Sequence, residues 1–325
     1  MATFTFIVIR IVLFPITLTG YVWLVIRLIL ASRHTGISAS AYSPLLSRLM
    51  MHEAGTRRDA ACKQAFKALP AVSPLALQMF MGPTLLAMRL SGVKLAAVTY
   101  PTPRPSTLKT MVNHRTEFFD KALFDHLDRV KQVVILGAGW DTRAYNLPPA
   151  AKVQVFEVDM GGIQQIKREV LQKAGVDNGH VVYVTTDFNK EAWVDSLKRH
   201  DFNPNLPTFF LWEGVTYYLD AETVHANLGA VGSACASGSV IAFDYFSQEV
   251  IDGLGPLLLR YSVKLLQASG ERLKFGVPTH APALEQISNL VGTHRLKVER
   301  YEPLGAEGIN EKPFGGLVVA VSTPA

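Results

Sequence analysis

The chain has 325 residues, of which 49% are hydrophobic and 18% charged. That length suits one enzyme-sized domain with additions, and that balance excludes an intrinsically disordered chain. The net charge is +5, and the two cysteines, Cys62 and Cys235, exclude a disulfide framework; they fit a reducing compartment and read as small buried hydrophobes.

The basic excess is not evenly spread. Residues 1–115 hold thirteen of the 32 Lys and Arg but only two of the 27 acids, Glu53 and Asp59. The bases are scattered among aliphatics, which points to anionic lipid head groups and away from nucleic acid. Mean hydropathy is +0.19, high for a protein wholly in water.

The N-terminus reads as a membrane anchor, residues 1–31. Ile11 to Ile26 is a run of uncharged, mostly apolar residues bracketed by Arg10 and Arg27. Extended from Thr3 to Ala31, it is long enough to cross about 30 Å of hydrocarbon if the arginines snorkel outward. Pro15 marks a kink, and Tyr21 and Trp23 suit an interface. A cleaved signal fits less well, because no Lys or Arg precedes Arg10 and no small-x-small site follows. A helix lying in the interface is the other alternative. Arg33, Arg48, Arg57, Arg58, Lys63 and Lys67 follow the anchor, so a single pass would leave the bulk of the chain in the cytoplasm.

Residues 32–112 read as a basic, apolar helical cap and linker. Within them Ala71 to Met88 carries no charge but contains Pro74, Gln78, Gly82 and Pro83. It is expected as a buried or membrane-dipping helix over an active site, with a second span as the alternative. Pro70, Pro101, Pro103 and Pro105 flank it as breakers.

From about residue 110 strands and helices alternate. A helix is expected over Thr116–Val130, and strands over Gln132–Leu136, Val153–Val158, Val181–Thr185, Thr208–Trp212 and Ser239–Phe243. Helices fit Gly161–Ala174 and Ala221–Val231, and Leu296–Tyr301 and Gly316–Val321 complete a seven-stranded, mostly parallel α/β sheet with helices on both faces. This third domain is residues 113–325.

In such a sheet ligands bind beyond the strand carboxyl ends, at the topological switch point. Every end here carries a functional group. Gly137, Ala138, Gly139 and Asp141 follow the first strand, Glu157 and Asp159 end the second, Asp187 follows the third, Glu213 the fourth and Asp244 the fifth. The distance from the glycines to Glu157 or Asp159 suits a carboxylate accepting from ribose hydroxyls, and strand alternation does not choose between the two. The third glycine of a dinucleotide fingerprint is missing, since residue 142 is Thr. That favours a nucleoside ligand without phosphates, S-adenosylmethionine being the common one.

The order Asn113-His-Arg115-Thr-Glu-Phe-Phe-Asp120, Val133-Val-Ile-Leu-Gly137-Ala-Gly139-Trp-Asp141-Thr-Arg143, Phe156-Glu-Val-Asp159, Thr186-Asp-Phe188 and Leu211-Trp-Glu213-Gly-Val-Thr-Tyr-Tyr-Leu219 resembles the leucine carboxyl methyltransferase superfamily. The likeness covers residues 110–245 strongly and reaches loosely back to about Gly36. It implies a Rossmann-like class I methyltransferase using S-adenosyl-L-methionine. It also implies that Arg115 pairs with the cofactor's carboxylate, that Gly137, with Ala138 and Gly139, lines its methionine part, that Asp159 holds the ribose, that Asp187 and Phe188 flank the adenine, and that Glu213 closes the pocket near the amino group or sulfonium. Asp141 and Arg143 are expected to brace the loop. The lysine that binds cofactor near the N-terminus in leucine carboxyl enzymes has no aligned counterpart; Arg48, Arg57 and Lys63 are spatial guesses. The membrane segment departs from the family.

Methyl transfer from a sulfonium is an in-line displacement, so catalysis is chiefly alignment and desolvation. A carboxylate acceptor needs no base; for a hydroxyl, Tyr217, Tyr218, Tyr245 and His114 are in the expected mouth, each more naturally a wall residue. No catalytic residue is assigned. His180, His200, His280 and His294 are dispersed, so no metal is expected, and no G-x-S-x-G elbow is present. The expected activity is O-methylation of a carboxylate or hydroxyl on a hydrophobic small molecule or lipid-like acceptor. The alternatives are an NAD-dependent oxidoreductase and a non-catalytic membrane scaffold.

Overall fold

A computed structural model describes residues 1–35, 41–70, 72–188, 192–268, 270–279, 282–308 and 312–324. Gly36, Ala71 and His280 lie outside the described residues. The chain forms two compact units. One comprises Met1–Pro103, Trp140–Asn146 and Gln165–Asn178; the other comprises Arg104–Gly139, Leu147–Gln164 and Gly179–Ala325.

The first unit opens with α1 (Ala2–Val12) and α2 (Phe14–Thr35), followed by α3 (Tyr42–Glu53), α4 (Ala60–Ala68) and α5 (Pro74–Ser91). The expected single anchor helix is thus two helices divided at Leu13. Pro15 cannot donate to a carbonyl one turn back, so it sits in the first turn of α2, where no donor is needed. Phe14–Ala31 is the one stretch among the described residues long and apolar enough to cross a membrane. Asp59 caps α4 by accepting from Cys62 N at 2.9 Å. Ser73 caps α5, Pro74 occupies its first turn, and Gly92 at φ +72° ends it.

The second unit carries α6 (Met111–His126), β1 (Gln132–Leu136), β2 (Gln154–Asp159), the start of α7 (Gly161–Ala174), β3 (Val181–Thr185), α8 (Trp193–Lys198), β4 (Thr208–Trp212), α9 (Ala221–Ala234), β5 (Val240–Phe246), α10 (Gln248–Ile251), α11 (Leu257–Ala268), α12 (Ala283–Gly292), β6 (Leu296–Leu304) and β7 (Gly315–Ser322). The sheet order is β3-β2-β1-β4-β5-β7-β6. β3, β2, β1, β4 and β5 pair in parallel, and β7 runs antiparallel between β5 and β6. The sheet is therefore mixed, with one reversed strand. β1, β4 and β5 are buried along their whole length, and the apolar runs Val133–Leu136 and Phe209–Trp212 suit central parallel strands.

Two boundaries bear on function. The helix expected from Thr116 begins at Met111, so His114 and Arg115 lie inside it, and both are buried. It ends at His126, four residues early, where Arg129 N turns back to the His126 carbonyl.

Candidate active site

The strand order reverses between β1 and β4, and the groups at their carboxyl ends build the site. Gly137 leaves β1 at φ +65°. A Cβ there would stand 2.5 Å from Val215 Cγ2, so glycine is required for both conformation and space. Gly137 N and Ala138 N both donate to the Val158 carbonyl, at 2.8 and 3.2 Å. Gly139 N donates to Asp159 Oδ2 at 2.6 Å, and Met160 N to Asp159 Oδ1 at 2.7 Å. The glycine loop is thereby tied to the end of β2 by its own amides. Asp159 also anchors the segment after β3, because its carbonyl accepts from Thr186 N at 3.0 Å. Asp187 and Phe188, both half-buried, come next, and Phe188 packs against the core.

Glu157, the other ribose candidate, is wholly buried, and its backbone carbonyl accepts from Gln164 Nε2 at 2.8 Å. Asp159 is 7% exposed and sits at the strand tip.

Arg115 stands at the centre of the remaining groups. Its Nε donates to Glu213 Oε1 at 3.0 Å, and its Nη1 donates to Asp244 Oδ2 at 3.1 Å and to Tyr217 Oη at 3.2 Å. Burial disfavours the guanidinium charge, but the surrounding oxygens of Tyr217, Asp244 and Glu213 outweigh it and hold the group charged above its ordinary range. Burial pushes the Asp244 carboxyl up, against the pull of Arg115, and drives the Tyr217 hydroxyl well above its usual range, so Tyr217 is neutral. Gly214 N donates to Asp244 Oδ1 at 2.6 Å. Gly214 has φ +75°, and a Cβ on it would lie 3.5 Å from Arg115 Nη1 and 3.7 Å from Nη2. Arg115 Nη2 has no hydrogen-bond partner among the described residues.

That free fork edge is the chemical capacity of the site. A guanidinium with two donors in hand, beside carboxylates that balance the rest of its charge, is suited to a ligand carboxylate. Asp159 supplies the complementary chemistry, an acceptor-only carboxylate oriented by the Gly139 and Met160 amides. A pyrophosphate is poorly served. The amides of Gly137, Ala138 and Gly139 are all engaged, and β1 is followed by a short 3-10 turn, Arg143–Asn146, rather than by a helix N-terminus.

The structure brings Arg115 and Glu213 into one ion cluster and Gly137, Ala138, Gly139 and Asp159 into one loop. Asp244 and Tyr217 complete the Arg115 cluster; neither belongs to the cofactor set that the resemblance implies. Asp244 does carry a signal in sequence, a carboxylate closing a strand as Glu213 does. Of the other mouth candidates, Tyr218 is half-buried, Tyr245 is buried in the core, and His114 is buried with Nε2 2.7 Å from Glu302 Oε2.

In the first unit, Asp141 and Arg143 brace the chain as expected. Asp141 accepts from Arg48 Nη2 at 3.0 Å, from Arg143 N at 2.7 Å and from Arg143 Nη1. Asp59 accepts from Thr142 Oγ1 and Asn146 Nδ2, both at 2.8 Å. Arg57 pairs with Asp59 and Lys63 with Glu53, so the three spatial guesses for a cofactor cation are each engaged in ion pairs.

Residues 72–232 match the model of the leucine carboxyl methyltransferase family. A candidate S-adenosyl-L-methionine-dependent methyltransferase of Bacillus subtilis, YktD, is 33% identical over 204 residues, 62% of this chain and 64% of that protein. One of the same description from Mycobacteroides abscessus is 34% identical over 131 residues, 40% of this chain and 43% of that protein. The chain thus spans less than two thirds of the length of these relatives. The crystal structure of a candidate methyltransferase from Thermobifida fusca is similar at a TM-score of 0.48 and 14% identity, covering 86% of this chain and 94% of that one.

Proposed function

We propose that the chain, similar over residues 72–232 to leucine carboxyl methyltransferases, is an S-adenosyl-L-methionine-dependent O-methyltransferase. Its acceptor is the carboxylate or hydroxyl of a hydrophobic, lipid-like molecule met at a membrane. The observation that carries the cofactor reading is Arg115, buried, charged and tied to Glu213, Asp244 and Tyr217, with Nη2 left to donate.

When bound, S-adenosylmethionine supplies a methyl group on a positively charged sulfur, already activated for displacement. Arg115 Nη2 would hold the amino-acid carboxylate, and Glu213 the neighbouring ammonium. Asp159 would accept from the ribose hydroxyls, with its geometry set by Gly139 N and Met160 N. Asp187 and Phe188 would border the adenine. Gly137, with Ala138 and Gly139, would let the backbone lie against the methionine chain. Tyr217 is neutral and so can orient an acceptor by donating its proton, but it is not a base. An acceptor that is already a carboxylate fits a site with no base assigned. The N-terminal helices, with their apolar exposure and the basic surplus of residues 1–115, support delivery from a bilayer.

The test is calorimetric titration of the full chain in detergent with S-adenosylmethionine and, separately, with NAD. Micromolar binding of the first alone, abolished by Asp159→Ala, is expected. Binding of NAD instead, or of neither, overturns the reading. Acceptor class is then read by transfer of labelled methyl from the cofactor into lipid extracts against water-soluble extracts.

A further inference from the structure

The N-terminal helices do not stand alone in the first unit. Arg10 Nη1 bonds Thr84 Oγ1, and Arg27 Nη2 donates to the Pro70 carbonyl at 3.1 Å. Between them the Tyr21 and Phe80 rings pack at a tilt of 41° with centroids 5.6 Å apart. Gly20 lies so close to α5 that a Cβ would stand 2.5 Å from Phe80 N and 2.8 Å from the Ala76 carbonyl. Ascending numbers along α1 and α2 meet descending numbers along α5, so the two run antiparallel over the length of α5.

α5 is held at both ends by the rest of its unit. It starts a few residues after α4, and Val98, seven residues beyond its end, accepts through its carbonyl from Thr56 Oγ1. If α5 stood upright in a bilayer beside α2, its far end would rejoin the Thr56 side only through residues 92–95 and the short 3-10 turn Ala96–Val98. Lipid-exposed backbone of that kind does not occur at depth, because its amides and carbonyls find no partners there. A pair lying in the plane of the interface meets no such cost.

Both members of the pair expose apolar side chains. Phe4, Ile11, Val12, Phe14, Ile26 and Leu30 are exposed on α1 and α2. On α5, Leu75, Leu86 and Leu90 are exposed and, at helical spacing, share a face. Arg10 and Arg27 are satisfied by Thr84 and Pro70 without needing opposite membrane faces. Arg58, Lys67, Arg89 and Lys94 are exposed in the same unit and supply complementary charge for anionic head groups.

We propose that α1, α2 and α5 form a monotopic platform that lies in the plane of an anionic bilayer, with the N-terminus on the same side as the rest of the chain. This rests on the membrane attachment of the proposed function and fixes its geometry: the protein sits on one leaflet and does not span.

The experiment is cell-free synthesis of the full chain, with an N-terminal epitope, in the presence of phosphatidylcholine vesicles with or without phosphatidylglycerol. Flotation with the anionic vesicles only is expected, together with complete removal of the epitope by protease added outside. Leu86→Glu/Leu90→Glu should lower flotation by about tenfold, since a charge in an inserted apolar face is costly. Phe124→Glu, the same change at an exposed site on α6 of the second unit, should leave it unchanged. A protected epitope means a spanning helix and overturns the proposal. Flotation unaffected by the α5 pair, or no flotation with the chain found as a dimer through this face, overturns it too. Cofactor titration of the same Leu86→Glu/Leu90→Glu protein separates this from failure of the methyltransferase reading, because the binding groups lie in the second unit.

Discussion

Arg115 on α6 and Glu213 after β4 are 98 residues apart in sequence and meet as Nε to Oε1 at 3.0 Å, with both side chains under one tenth exposed. A pair this buried holds only while every charge in the cluster is balanced, so its disruption is expensive. Removal of one partner from a buried ion pair costs about 3–5 kcal/mol. Arg115→Ala should lose stability on that scale by urea unfolding. Arg115→Lys is the sharper variant. A lysine keeps the charge but cannot reach Glu213, Asp244 and Tyr217 from separate nitrogens and still present a free edge. It should weaken S-adenosylmethionine binding by about tenfold or more, as one lost charged contact implies, with a smaller loss of stability. Unchanged affinity in Arg115→Lys would remove Nη2 from the cofactor site.

Gly137 sets the exit from β1. In Gly137→Ala the new Cβ meets Val215 Cγ2 at 2.5 Å, and the backbone stays at φ +65°. The left-handed conformation alone costs a non-glycine residue about 1–2 kcal/mol. Adding Val215→Ala relieves the clash and not the torsion. The double variant should therefore be less destabilised than the sum of the singles, yet remain below Val215→Ala alone. A thermodynamic cycle by urea unfolding reads both terms. Strict additivity would show that the loop moves away from Val215 at no cost.

The seven strands are legible in sequence because central parallel strands leave a local imprint. Val133-Val-Ile-Leu136 and Phe209-Phe-Leu-Trp212 are unbroken apolar runs closed by a glycine or an acid. Their carboxyl-end groups follow from the topology rule alone. The Arg115 cluster is legible only in part, since Arg115, Glu213, Tyr217 and Asp244 come together through sheet order, which no local pattern states. The stretch between Phe246 and Leu296 gives no elements in sequence, though α10, α11 and α12 lie there. The division at Leu13 is hidden because a proline in an apolar run suits a kink inside one helix, whereas Pro15 opens a second. The docking of α2 on α5 rests on Gly20, a residue with no mark in the sequence beyond its smallness.

Acid should unfold the first unit's polar network through Asp141. Burial opposes ionisation of this carboxyl, but Arg143 and Arg48 beside it and the Arg143 amide hold it well below the usual carboxylate range. In the unfolded chain it titrates near an ordinary aspartate, about 3.9. The unfolded state thus binds a proton first as pH falls. The stabilisation from Asp141 is fully present above about pH 4 and is lost progressively below it. Urea midpoints between pH 7 and pH 3 should fall in this window, and Asp141→Asn should be less stable at pH 7 with a shallower acid dependence. An equal slope in the variant would assign the acid loss to other carboxylates.

Neither cysteine should react while the fold is closed. The Cys62 sulfur is fully buried and donates to the Leu45 carbonyl at 3.3 Å, with its own amide on Asp59. Burial, reinforced by the Asp59 charge, pushes its thiol far up, and burial pushes Cys235 up to about 12. The thiolate is the reactive form, so at pH 8 both should resist iodoacetamide in native buffer and be alkylated in urea. The two sites report on different units. Cys62 lies in α4 of the first, and Cys235 follows α9 of the second. Mass spectrometry after labelling at stepped urea concentrations therefore reads their opening separately. If the units unfold as one, both cysteines gain label at the same midpoint. Prompt labelling of Cys62 in native buffer would show that the Asp59 cap of α4 opens readily, and with it the contacts to Thr142 and Asn146.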